Sequence, residues 1–237
     1  PLNVYSLQFD GVNDRVNIGD IIALRTPSKM RVSFWFKRRS DKPGYTNHGT
    51  SHVMYATASD HKKDNIEIGM DGPLVEIYSD TITEDGSLGR GNAMDWFDAG
   101  IANNPWYHLV FTYDSSAGPS VSEGRLYIDR TEVKSLSHWG VGASFKRRSS
   151  LTIGDDDHIE THFDGFIDEL SVWDTPISAY EASGMFDGTS PSSTSSSNLV
   201  GYWSLDEGSG SASDDLSSAA NYGYLKNGAS WSTDTPW

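Results

Sequence analysis

The sequence predicts an all-β fold: two packed antiparallel sheets carrying one short helix near 178–185. Three observations lead there. Short segments rich in β-branched and aromatic residues recur along the chain, divided by Gly, Asn and Asp. Several of them alternate strictly between apolar and polar positions, the period of a half-buried strand. Only one stretch carries helix-start chemistry, and 8 Trp, 11 Tyr and 9 Phe in 237 residues supply a sizeable core.

The strand-like segments run in order over 4–9, 15–19, 30–38, 52–57, 65–70, 73–79, 106–114, 124–133, 150–155 and 165–173. In RVSFWF, Val32, Phe34 and Phe36 share one face while Ser33 and Trp35 share the other. In HLVFTYD, Leu109, Phe111 and Tyr113 oppose Val110 and Thr112. GRLYIDRTEV reads as a hairpin folded at Asp129–Arg130. The helix is placed by Ser178 as N-cap and Glu181 three residues on, a capping box, with Gly184 near the stop. The Ser-rich run 188–198 is expected to be a flexible connection. The segment 199–237 returns to strand-like text; too short for a core of its own, it is expected to pack back on the sandwich, giving one domain over 1–237.

Composition excludes whole classes of function. A net charge of −15 argues against nucleic acid, whose phosphates require Lys and Arg. With no Cys, disulfides, Cys-based zinc sites and thiol nucleophiles are ruled out. No apolar run approaches the ~18 residues of a membrane span, and no signal-like segment opens the chain. The chain starts with Pro rather than Met, which reads as a module of something larger.

Six stretches, LQFDGVNDRVNIGD, RVSFWFKR, WYHLVFTYD, GRLYIDRTEV, LTIGD and FDGFIDELSVWDTPISAYE, follow one another in an order that resembles laminin G-like jelly-roll domains of the concanavalin A-like lectin/glucanase superfamily. The tail LVGYWSLDEGSG resembles a segment that precedes the jelly roll in many such proteins; here it follows. It either completes this domain or begins a following repeat. The resemblance implies a jelly-roll β-sandwich, non-catalytic, set in an extracellular protein and binding carbohydrate or protein. It also implies a structural calcium joining the first strand to the strand that carries Ile-Asp-Glu. The matching positions are Asp10 or Gly11 at one end and Asp168 at the other. Asn13 is added because calcium accepts amide oxygens. The competing explanation is that Asp10 and Asp164 only cap Asp-Gly turns.

Catalysis finds little support. The superfamily's glycosidase pattern Glu-x-Asp-x-x-Glu is absent, and Asp168 and Glu169, being adjacent in a strand, are expected to point to opposite faces. No local motif marks a lyase base. The acidic run GDDDHIETH offers Asp156 and His158 as contacts for sugar hydroxyls, as a second rim calcium site or as a solvated loop. His158 and His162 have zinc spacing for a helix, but the stretch reads as extended, so zinc is not expected. Sugar recognition joins aromatic faces to planar hydrogen bonders, and irregular loops are its usual home. Tyr45, His48, Trp96 and Trp139 lie in such loops, whereas Trp35, Trp106, Trp173 and Trp203 sit inside strand patterns and are expected to be core. The basic runs 37–39 and 146–148 read as solvated strand ends, or as an anion-binding pair if adjacent.

The sequence therefore points to a non-catalytic, lectin-like carbohydrate-binding module, stabilised by calcium, secreted or on a cell surface. Its partner would be a glycan or polysaccharide, with neither nucleic acid nor membrane insertion. The alternatives are an adhesion or protein-interaction domain and, further off, a polysaccharide-degrading enzyme.

Overall fold

Alternation builds two layers and leaves an apolar face on each. The computed structural model describes residues 3–21, 29–40, 51–58, 66–79, 95–114, 116, 123–137, 149–155, 162–176, 178–194 and 196–237. Strands β1 to β8 span Ser6–Asp10, Arg15–Asp20, Lys29–Arg38, Ser51–Ala58, Ile66–Asp71, Leu74–Ser79, Asp95–Asp98 and Trp106–Asp114. Strands β9 to β16 span Glu123–Ile128, Thr131–Ser137, Ser149–Ile153, Asp164–Trp173, Leu199–Trp203, Ala212–Ser213, Gly223–Lys226 and Ser230–Ser232. One sheet has the order β10-β9-β8-β3-β12-β1-β16, with β13 also paired to β12; the other runs β14-β15-β2-β11-β4-β5-β6-β7. All the pairings are antiparallel, as the jelly-roll expectation requires.

The inward faces meet in one core. Leu7, Phe9, Val32, Phe34, Phe36, Leu109 and Phe111 come from the first sheet, and Val16, Met54, Ile68, Ile77 and Leu151 from the second. Burying each such side chain contributes about 1.5–3 kcal/mol, so this layer dominates the fold's stability. Local signals are realised as read. Asp129 and Arg130 both have positive φ, 47° and 72°, the two-residue turn that matches strand twist. The helix α1 (Ala179–Phe186) begins at Ser178 with both halves of the capping box formed.

Two features mark the last fifty residues. The Ser-rich stretch holds short 3₁₀ turns at Pro191–Ser193 and Ser196–Asn198, with Pro191 buried. The segment 199–237 supplies strands to both sheets: β13 and β16 to the first, β14 and β15 to the second. The first sheet's outward face is itself partly covered, since Met185 of α1 joins Val110, Tyr127, Trp173, Leu199 and Tyr202 in a second apolar cluster.

Candidate functional site

β12 changes neighbours partway along its length. Its first half pairs with β1, from Asp10↔Asp164 to Leu7↔Ile167, and its second half with β13, from Leu170↔Trp203 onward. Between them its register with β3 shifts, and Glu169 takes φ 52°, a left-handed backbone rare for a non-glycine residue. This bulge adds one residue to the strand. It corrects the expectation for the acidic pair: Asp168 and Glu169 stand on the same, outward side of the sheet rather than on opposite faces.

Above the bulge lies a cavity of about 420 Å³. Ser33, Trp35 and His108 form its floor, with Ser33 Oγ 2.8 Å from His108 Nε2. His108 is buried, which lowers its pKa to about 3 and keeps the imidazole uncharged. Trp35 is bracketed by two rings, Phe186 at 5.1 Å and Trp237 at 4.9 Å, the latter edge-on at 76°. Gly188 to Ser192 make one wall, and Tyr202, Ser204, Asp206 and Leu216 another.

Oxygen acceptors crowd the remaining side. Glu169 accepts a 2.6 Å hydrogen bond from the Tyr202 hydroxyl, and Asp206 accepts from the backbone N–H groups of Val4 and Tyr5. Asp168, fully buried, accepts from Asn3 Nδ2 at 2.7 Å and from the Glu169 N–H at 3.0 Å. Asn3 Oδ1 is buried and has no hydrogen-bond partner. Burial pushes the Asp168 carboxyl well above its ordinary range. It also raises Glu169 to about 7, against the Tyr202 hydrogen bond, which lowers it, and with help from the nearby Asp206 charge.

The segment 233–237 crosses the outward face beside the cavity and is tied down at Asp234. That carboxylate takes Lys37 Nζ at 2.6 Å and Trp106 Nε1 at 2.9 Å, while its backbone carbonyl accepts from Ser6 Oγ at 2.7 Å. Trp237, half exposed, reaches the cavity from this strap.

The calcium ligands expected from the sequence do not meet. Asp10 lies opposite Asp164, and Asp168 stands four residues farther along β12, roughly 13 Å away at strand rise. Asp10 Oδ1 accepts from the Val12 N–H, an Asp-Gly turn with Gly11 at φ 71°, and the Asn13 carbonyl accepts from Asn227. Among the described residues no three His, Asp or Glu side chains gather as a metal group. Tyr45, His48, Trp139, Asp156 and His158 lie outside the described residues, as does the Trp96 side chain; the Trp96 backbone pairs with Glu76 between β6 and β7.

The cavity's own residues were hidden in the sequence for different reasons. Trp35 is buried as expected, yet lines the cavity. Asn3, Asp206 and Trp237 reach it only through tertiary contacts. One signal was available: Ile167 and Leu170 both face the core, and this spacing of three breaks the strand's period of two where a bulge must sit.

Residues 10–183 match a laminin G-like family model described as the Concanavalin A-like lectin/glucanases superfamily. Among curated proteins no sequence relative was found. Three solved structures share the fold. A Bacteroides ovatus protein provisionally classed as carbohydrate binding superposes with TM-score 0.66 at 16% identity, over 98% of this chain and 60% of its own. Domain 4 of an extracellular GH43 arabinanase from Geobacillus stearothermophilus, in complex with arabinotriose, gives 0.53 at 20% identity, over 76% and 75%. The CBM40 of a Ruminococcus gnavus sialidase, bound to α2,3-sialyllactose, gives 0.54 at 9% identity, over 78% and 99%.

Proposed function

This chain belongs to the concanavalin A-like lectin/glucanases superfamily, and we propose that it binds carbohydrate without cleaving it, as a lectin-like module of an extracellular protein. The observation that carries the reading is the cavity over Trp35. A sugar presents C–H faces that stack on rings and hydroxyls that need partners. Trp237, half exposed over the buried Trp35, offers the ring, while Glu169, Asp206 and the Ser190 hydroxyl offer the partners. The solved relatives crystallised with arabinotriose and sialyllactose support a glycan as the class of ligand.

The carboxylates favour binding over hydrolysis. A glycosidase needs two of them set on either side of the scissile bond. Here Asp168 holds Asn3 and the bulge N–H, Asp206 holds the Val4 and Tyr5 amides just ahead of β1, and Glu169 holds Tyr202. Asp168 is thereby taken up by the fold, Glu169 and Asp206 keep a second oxygen for a sugar hydroxyl, and the pattern Glu-x-Asp-x-x-Glu is absent.

Calcium enters this reading at a revised place. The residue of the leading segment beside Asp168 is Asn3, not Asp10, and its unpartnered buried Oδ1 is an oxygen suited to a hard cation. Asn3 and Asp168 would hold the ion, which would supply charge for a carboxylate that burial leaves uncompensated. Asp10, Gly11 and Asn13 take no part.

Screening on a glycan array, followed by calorimetry on the hits, tests the proposal. Trp237→Ala, at a half-exposed position, is expected to fold and to weaken binding more than tenfold. Binding of no glycan, or release of new reducing ends by the protein alone, would overturn it.

A further inference from the structure

We propose that the cavity receives the end of a glycan chain rather than its interior, an inference that rests on the carbohydrate reading above. A site that grips an internal stretch needs an open path across the sheet on both sides of the gripping ring. Trp35 has neither. Phe186 lies tilted against it at 5.1 Å, and the preceding residue of the same helix, Met185, packs on the outward face with Trp173, Tyr127 and Val110. Trp237 meets it edge-on at 4.9 Å. Beyond Trp237 the strap lies over the neighbouring strand positions, fixed where Asp234 takes both Lys37 and Trp106.

The floor and the lateral walls close the remaining directions. Ser33 and His108 are hydrogen-bonded to each other beneath the cavity, and the turn through Pro191 faces Tyr202 and Asp206 across it. The space of about 420 Å³ is at the small end of the ~300–1,000 Å³ typical of ligand pockets, room for about two sugar rings. Glu169 and Asp206 both line this space, where a terminal ring would place the hydroxyl that a continuing chain would substitute.

The test uses the unaltered protein and linear arabino-, xylo-, gluco- and galacto-oligosaccharides of two to six residues, titrated by calorimetry. For any series that binds, affinity is expected to level off at two residues, changing less than about twofold up to six. Methylating the terminal hydroxyls of the bound end is expected to abolish binding, and fragmenting the parent polysaccharide to raise the number of bound sites in proportion to new ends. Affinity that climbs more than tenfold between two and six residues, with indifference to end methylation, overturns the chain-end inference while leaving carbohydrate binding intact. Should neither these series nor any glycan of the array bind, the carbohydrate reading falls and this inference with it.

Discussion

The β1–β12 pair ends in two acidic groups that look alike in sequence and behave differently in the fold. At one end, Asp164 is met by a cation of the protein's own: Arg39 Nη2 lies 2.7 Å from its Oδ1, and the Ser40 hydroxyl donates to the other oxygen. Asp10 closes its own turn. At the other end, the charges of Glu169 and Asp206 act on the buried Asp168, no Lys or Arg is among the described residues that line the cavity, and the neighbouring Asn3 keeps an oxygen unpartnered. A count of carboxylates does not distinguish the two. What separates them is whether the fold has already satisfied each oxygen and neutralised each charge, and only the second end has anything left to offer a ligand.

Truncation should expose this difference most strongly. Asp168→Ala strands the buried donor Asn3 Nδ2 and the part-buried bulge N–H, and is expected to cost about 3 kcal/mol in urea unfolding. Asp164→Ala, which loses a partly exposed ion pair, should cost about 1 kcal/mol or less. Equal costs would erase the contrast.

Chelation comes next. If calcium is held at the Asn3–Asp168 end, an ion present at about 100 times its Kd adds about 2.7 kcal/mol, so EDTA should lower Tm by about 5 °C or more. Asp10→Ala should leave that drop unchanged, and Asn3→Ala should remove it. A Tm indifferent to EDTA in the unaltered protein would take calcium out of the account.

Titration gives a comparable effect, read with calcium removed. A carboxyl whose folded pKa lies above its unfolded value favours the folded state in acid and loses that advantage as pH rises. For Glu169, moved from 4.5 to about 7, stability should fall between those pH values by at most about 3 kcal/mol. Glu169→Gln should flatten that slope. His108 runs the other way: held neutral down to about 3, it costs stability as pH falls below 6.5, where the unfolded chain takes up the proton. Losing that acid limb in a His108 variant, with the Glu169 limb kept, would separate the two contributions.

The smallest effect belongs to the strap. Lys37→Ala removes one of two hydrogen bonds to the Asp234 carboxylate at a part-buried position and is expected to cost about 0.5–1 kcal/mol, with a few-fold loss of glycan affinity as Trp237 loosens.

Much of this architecture was legible because its causes are local. Alternation in RVSFWF and HLVFTYD, the turn at Asp129–Arg130 and the capping box at Ser178 each depend on residues a few positions apart. The site was less so. A positive φ at Glu169 has no residue signature of the kind glycine provides, and adjacent acids in a strand read naturally as facing apart. Asn3 meets Asp168, and Trp237 meets Trp35, across most of the chain's length. Such meetings follow from which strands neighbour one another, and nothing within a short window encodes that.

The pairing of β1 with β16 sets Ser6 beside Ser232, so the first and last strands are seamed together within one sheet. Connectivity there is nearly arbitrary: the block carrying β13 to β16 could be transplanted from behind β12 to ahead of β1 and still find every hydrogen-bonded neighbour it has now. A circular permutant opened between α1 and β13 should reach the same sandwich. It should also get there sooner, because the seam between β1 and β16 would become a short-range contact instead of the longest loop the chain has to close.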